Sequence, residues 1–420
     1  MRDAIAAGKK ILVLINPPYG ESANTLNKSA KTDIATTNIA KTSNGQGYAN
    51  RELFTQFVVR IQREIPSATL AMFSKLKYVN APNFEIFRAN WSAHYLGGFV
   101  VHSKAFDGLS GNFPIGFLVW KTQSQPGEFP TQIQVDVLNR DAQAIGEKLF
   151  HNISKDRFLN NWIQRPRSNA VDALPLKNAL SPTTSTKDVR GTKWADGAIG
   201  SMLCDSNDLQ GAGQGTALLS SGFCSAGAFF VTSKNLWQAA VVFAVRRLIK
   251  PTWLNDRDQF LQPTEPLTEV FKTDCLLWML FNGSNLTASA DDLEWNGKKW
   301  SIVNHFIPYS EAEVDAPDRF ESDFMVQYLA DKTLSEEAQA VLDAGRELWK
   351  SYFAHTDVRT VRDQFKLNRS DVGWYQIRKA LAERNKSGDT VPVNFTPFEA
   401  AYETLTEKLR PQVFDLGFLK

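Results

Sequence analysis

Four residues near the start of the chain have the types and spacing for chemistry. Asn16, Pro17, Pro18 and Tyr19 follow directly on the apolar run Ile11-Leu12-Val13-Leu14-Ile15. Two consecutive prolines fix φ and remove two backbone donors, so the corner is stiff and its carbonyl groups are left as acceptors. Asn16 adds a side-chain carbonyl at the carboxyl end of a strand, where open α/β sheets place their ligands. Two fixed acceptors, the Asn16 side chain and the Pro17 carbonyl, can take both hydrogens of an exocyclic amino group and orient the nitrogen lone pair for attack without a strong base. Tyr19 offers a flat face on which an extruded base can stack. The alternative reading is a rigid proline turn with Tyr19 as a packing ring.

Other reactive types are scattered. Arg165, Arg167, Arg246, Arg247, Lys250, Arg257, Lys298 and Lys299 lie in short basic segments and are candidates for phosphate contacts, although each also reads as an ordinary solvated charge. Asp256, Asp258, Asp291, Asp292 and Glu294 lack the acidic-x-Lys spacing of a metal nuclease and read as surface or structural carboxylates. The five histidines show no metal-ligand spacing, so no metal is expected. Gly211, Gly213 and Gly215 form a glycine-rich string. No apolar strand run leads into it and no clean helix follows, so it is a weak candidate for a cofactor turn beside the plainer reading of a surface or DNA-facing loop.

These residues need elements to hold them. The run 10–15 reads as a strand covered on both faces. Residues 21–49 are rich in Ser, Thr, Asn, Ala and Gly and read as a long loop, a lid hinged near Gly45, Gly47 and Tyr48 or plain disorder. Leu53, Phe54, Phe57, Val58, Ile61 and Ile65 form one helical stripe with Asn50 as N-cap and Pro66 as the stop. Residues 68–74 read as the next strand, 83–91 as a short helix, and 95–103 and 114–122 as two strands forming an antiparallel pair. The pattern is α/β. Residues 124–130 are a linker candidate, 133–139 a strand and 160–235 irregular. Residues 237–245 read as a core helix, and the chain from Ser322 onward as helical.

Bulk composition bounds the rest. A chain of 420 residues exceeds one core, so two or three domains are expected: 1–122, 123–320 and 321–420. Apolar residues at 43% and charged residues at 22% exclude global disorder. A net charge of +2 neither supports nor excludes a nucleic-acid partner. Cys204, Cys224 and Cys275 form no C-x-x-C and read as reduced thiols of a cytoplasmic protein. No apolar run approaches the roughly 20 residues of a membrane span.

A strand running into Asn-Pro-Pro-Tyr resembles the catalytic motif of S-adenosylmethionine-dependent amino-methyltransferases, in particular the N6-adenine DNA methyltransferases of restriction–modification systems. The resemblance covers roughly residues 8–122 and matches Asn16, Pro17, Pro18 and Tyr19 one by one. It implies a partial class I, Rossmann-like sheet, followed by a mixed α+β target-recognition region and a helical carboxyl-terminal region. By the same resemblance, Phe113 rather than Phe106 would wall the pocket of a flipped adenine. Methyl transfer from S-adenosylmethionine to adenine N6 in double-stranded DNA is the implied reaction. The same motif serves methyltransferases of RNA and of protein glutamine. About 300 residues beyond the motif argue against the latter.

In this class a glycine-rich turn and an acidic residue that hold the cofactor normally precede the Asn-Pro-Pro-Tyr strand. Only about ten residues do so here. The cofactor half is therefore expected to be absent or to come later, and the chain alone to bind S-adenosylmethionine weakly or not at all. Ile11–Ile15 would be the middle strand of the full sheet, and without neighbours it is an exposed apolar edge of the kind natural proteins avoid. Either other segments of this chain occupy that edge, or another chain covers it, or the chain is a fragment of a larger methyltransferase, which is the first reading. A non-enzymatic DNA-recognition subunit with a partner carrying the cofactor half is the other.

Overall fold

The computed structural model describes residues 2–18, 20, 34, 37–42, 46–109, 111–123, 127–166, 171–173, 193–220, 222, 227–355, 368–387 and 393–420. The chain divides into two units, the first Met1–Arg157 with Pro251–Gln259 and Lys420, the second Phe158–Lys250 with Phe260–Leu419.

In the first unit the apolar run after helix α1 (Arg2–Ala6) becomes strand β1 (Leu12–Ile15). After α2 (Asn38–Thr42) and a 3₁₀ turn over Gly47–Arg51 comes α3 (Leu53–Glu64). It buries Phe54, Val58, Val59 and Ile61 but leaves Phe57 exposed. Glu52, not Asn50, is its N-cap residue, and no side-chain bond caps the helix there. The expected cap fails because Asn50 is already part of the preceding turn. Strand β2 (Thr69–Lys75) follows, then the short helices α4 (Lys77–Asn80) and α5 (Glu85–Asn90), and strands β3 (Ala93–His102), β4 (Pro114–Thr122), β5 (Gln132–Leu138) and β6 (Ala144–His151).

These six strands make one mixed sheet in the order β1-β2-β4-β3-β5-β6. The β1–β2 and β3–β5 pairs are parallel, and the other three are antiparallel. The architecture is mixed α/β, and the sheet does not stop at Thr122 but runs on through β5 and β6. Phe129, in the segment that looks like a linker, is buried in the same core, its ring 5.4 Å from that of Trp120.

Strand residues alternate between faces. Val13 and Ile15 pack with Leu70, Met72, Leu118 and Trp120 on the helix-covered side. Leu12 and Leu14 align with Thr69 and Ala71 on the opposite side, at 67% and 71% exposure. Phe73, Phe99 and Phe117 share that second face as a half-buried aromatic cluster. So β1 is not covered on both faces: it is an edge strand, apolar on both sides and open on one.

The second unit begins with the two-residue strands β7 (Val171–Asp172) and β8 (Lys193–Trp194), which pair. Strand β9 (Ala198–Cys204) is the centre of a three-stranded antiparallel sheet, flanked by β10 (Thr216–Leu219) and β11 (Phe229–Thr232), with α6 (Leu209–Gln214) between β9 and β10. The expectation of irregular structure over 160–235 is corrected here. These strands are short and interrupted by Gly and Ser, so their periodicity is faint in the sequence. Against the sheet pack α7 (Leu236–Leu248) and α8 (Glu269–Leu280), both apolar nearly all round and buried. A hairpin of β12 (Ala290–Trp295) and β13 (Lys298–Ile302) follows, then the helices α9 (Phe324–Leu329), α10 (Glu336–His355), α11 (Trp374–Ser387) and α12 (Thr396–Asp415). Trp349 stacks on Trp374 at 5.6 Å beneath Phe281 and Phe398. Among the described residues no helix is long and apolar enough to cross a membrane.

Candidate functional site

The Asn16-Pro17-Pro18 corner leaves the carboxyl end of β1, with Pro17 buried and Asn16 and Pro18 exposed. Tyr19 lies outside the described residues. Ile15 is level with Met72, so the corner rises along the last residues of β2. Gly20 brings the chain back against α3, its carbonyl accepting the Leu53 N–H at 2.8 Å.

The same rim carries the connection from β3 to β4. Ile115 pairs with Lys75 at the carboxyl end of β2, so residues 103–109 and 111–113 lie at the end of the sheet at which β1 ends. Ser103 pins this connection: its N–H donates to the Phe113 carbonyl at 2.9 Å and its hydroxyl to the Gly111 carbonyl at 2.7 Å. Phe113 is half-buried and lies over Gly111, where a Cβ would meet the ring. Phe106 instead packs edge-on against Phe73, in the aromatic cluster of the open face. Phe113 and the corner thus share one rim with β2 between them, two strand spacings or roughly 10 Å apart across the sheet.

Two residues that sequence reading passes over stand at this rim. Glu52, directly before Leu53, is fully buried and accepts from Lys77 Nζ at 2.6 Å, while its Oε2 has no hydrogen-bond partner among the described residues. Lys77 opens α4, just past the end of β2. They are 25 residues apart, and no spacing rule joins them. The only sequence signal is a carboxylate heading an apolar helix stripe.

The described basic candidates differ in what engages them. Arg246 is corrected outright: it is fully buried and donates to Thr216 Oγ1 (2.7 Å), Asn160 Oδ1 (2.8 Å) and the carbonyls of Ser206 (2.8 Å) and Asp205 (2.5 Å), so it ties loops together and cannot reach a phosphate. Burial pulls its pKa below the usual arginine value. Arg247 is likewise engaged, by Asn282 Oδ1 and the carbonyls of Gly213 and Thr216. Arg165 is exposed but binds the carbonyls of Gly227, Ala228 and Asn160. Lys250, Arg257, Lys298 and Lys299 are exposed, Arg257 beside Asp256 and Lys299 on Asp292 at 2.8 Å. Arg167 lies outside the described residues, as does most of the loop 21–49.

The glycine string is also corrected. A strand, β9, does lead toward it, and Gly211 and Gly213 are helical, within α6. The Asp208 carboxylate caps this helix by accepting the Gly211 N–H at 2.8 Å, and the Gly215 N–H donates to the Gly211 carbonyl. Amides bonded inside a helix are not presented to a ligand. A Cβ on Gly211 would strike Ser206 and one on Gly215 the Asp205 carbonyl, so these glycines serve close packing. Among the described residues no group of three or more His, Cys, Asp or Glu is placed to hold a metal.

Comparison with protein-family models and with curated proteins returns no match.

Proposed function

We propose that the first unit is the catalytic-motif half of an S-adenosylmethionine-dependent methyltransferase acting on the N6 amino group of adenine in DNA. The observation that carries this reading is the position of Asn16-Pro17-Pro18: a stiff turn at the carboxyl end of a parallel strand, on the rim that also bears Phe113. In this reading the Asn16 side chain and the Pro17 carbonyl accept the two amine hydrogens, Tyr19 stacks on the extruded base and Phe113 walls the pocket. The cofactor supplies the methyl group. The edge of β1, which pairs with β2 alone among the described residues, supports the further part of the proposal, that strands holding the cofactor are supplied by a larger protein or by a partner.

The same edge favours a second reading, a non-enzymatic DNA-recognition subunit of such an assembly. Methyl transfer from labelled S-adenosylmethionine to plasmid DNA separates the two, assayed with the chain alone and with a cofactor-binding half supplied in trans. Digested nucleosides are then read by mass spectrometry. N6-methyladenine is expected only with the added half. Asn16→Ala is expected to lower it by about 10²-fold or more, the loss typical of a single preorganised polar contact in a transition state. An Asn16→Ala protein that methylates at the original rate sinks the role given to Asn16, and no N6-methyladenine even with the added half sinks the enzymatic reading.

A further inference from the structure

The second unit holds a cleft of about 220 Å³ between α7, α8 and the segment around α9. It is lined by Trp237 and Tyr328, by Leu276 and Thr273, and by three charged side chains, Lys272, Lys332 and Glu269. Trp237 is the second residue of α7, Lys272 and Leu276 lie one turn apart on α8, and Lys332 follows α9. Each ammonium stands over a ring face, Lys272 Nζ 4.6 Å from the Trp237 centroid and Lys332 Nζ 5.2 Å from that of Tyr328.

Both lysines have carboxylate partners, Glu269 at 2.6 Å and Asp331 at 2.9 Å. The exposures are lopsided, however. The Lys272 and Lys332 side chains are 20% and 28% exposed, those of Glu269 and Asp331 74% and 76%. Both lysines and Glu269 line the cleft, Asp331 does not, and both carboxylates are far more open to solvent than the cations they hold. Ion pairs so exposed are weak and yield to a competing anion that is itself partly desolvated. We propose that this cleft binds a small aromatic anion: one ring system bearing a carboxylate or a phosphate. The acid group bridges Lys272 and Lys332, and the ring packs on Trp237, Tyr328 and Leu276. Two aromatic walls select a ring over a compact inorganic anion. A volume below the roughly 300–1,000 Å³ of drug-sized pockets limits the ligand to about one ring system and its acid. The proposal does not depend on the methyltransferase reading, which concerns the first unit.

The test is calorimetric titration of the full chain with benzoate, indole-3-carboxylate, 5′-AMP and inorganic phosphate. At least one aromatic acid is expected to bind with Kd below about 1 mM, and inorganic phosphate at least about tenfold more weakly. The two carboxylates against 5′-AMP tell which acid group the cleft takes. Lys272→Met with Lys332→Met keeps the aliphatic stems on the rings and is expected to weaken the bound acid at least about tenfold. Trp237 fluorescence on titration reports the ring contact. Binding of none of the three aromatic acids, equal binding of inorganic phosphate, or binding indifferent to the double substitution overturns the proposal.

Discussion

Strand β1 and helix α7 are both continuous apolar runs, yet they meet opposite fates. In α7 every residue from Ala239 to Arg246 is buried, and the helix is enclosed by β10, β11, α6, α8 and α12. In β1 the burial alternates, and Leu12 and Leu14 face outward at the sheet edge. The same kind of sequence marks an enclosed core helix in one place and a sheet edge in the other. An exposed apolar edge is a template for another chain and is blunted in most natural sheets. Here its own residues do not blunt it: Leu12-Val13-Leu14-Ile15 carries no charge and no proline.

Substitutions put numbers on that contrast. Phe243→Ala in α7 removes a fully buried ring and is expected to cost about 3–5 kcal/mol, read as a fall in the urea midpoint of the second unit. A midpoint shift no larger than that of a surface mutant would show that α7 is not the closed core described.

The first unit has a buried weak point of intermediate size. Burial outweighs the adjacent Lys148 ammonium and pushes the Asp258 carboxyl up to about 6. A carboxyl held above its unfolded value adds stability below that unfolded value and loses it as pH rises through the folded one. Stability of the first unit is therefore expected to fall between about pH 4 and about pH 6, by up to about 3 kcal/mol from this group. Asp258→Asn should flatten that slope in hydrogen-exchange protection of β6, and an unchanged slope would remove Asp258 as its source.

Leu12→Ala or Leu14→Ala is expected to cost less than about 1 kcal/mol in this chain alone, since little area is buried there. The same changes should weaken capture of a cofactor-binding half far more than they affect unfolding. Equal effects on both would mean that the edge is not a docking edge.

Much of the first unit was legible. Apolar runs and a 3–4 stripe gave β1, α3, β2, β3 and β4, because each buries at least one face with the period of its element. Burial of α7 followed from its lack of any polar face. What escaped was non-local. Nothing in residues 132–151 says that β5 joins β3 in parallel, and nothing near Arg246 says that its charge is enclosed by carbonyls from loops up to 86 residues away. One local signal was overlooked. Asn296-Gly297, with φ of 50° and 70°, is the turn of the β12–β13 hairpin, a dipeptide strongly suited to such turns. At the candidate site, Asn16, Pro17 and Pro18 stand out by residue type, whereas Glu52 and Lys77 meet only through the fold.

The nine residues Pro251–Gln259 interrupt the second unit to complete the first. Trp253 and Leu254 lie against the first unit's core, and Asp258 holds Lys148. A truncation after Arg157 therefore removes two core side chains and strips Lys148 of its counterion. Neither unit is one uninterrupted stretch of chain, so a single backbone cut cannot release either one whole, and ribosomal synthesis cannot finish the first until much of the second has emerged.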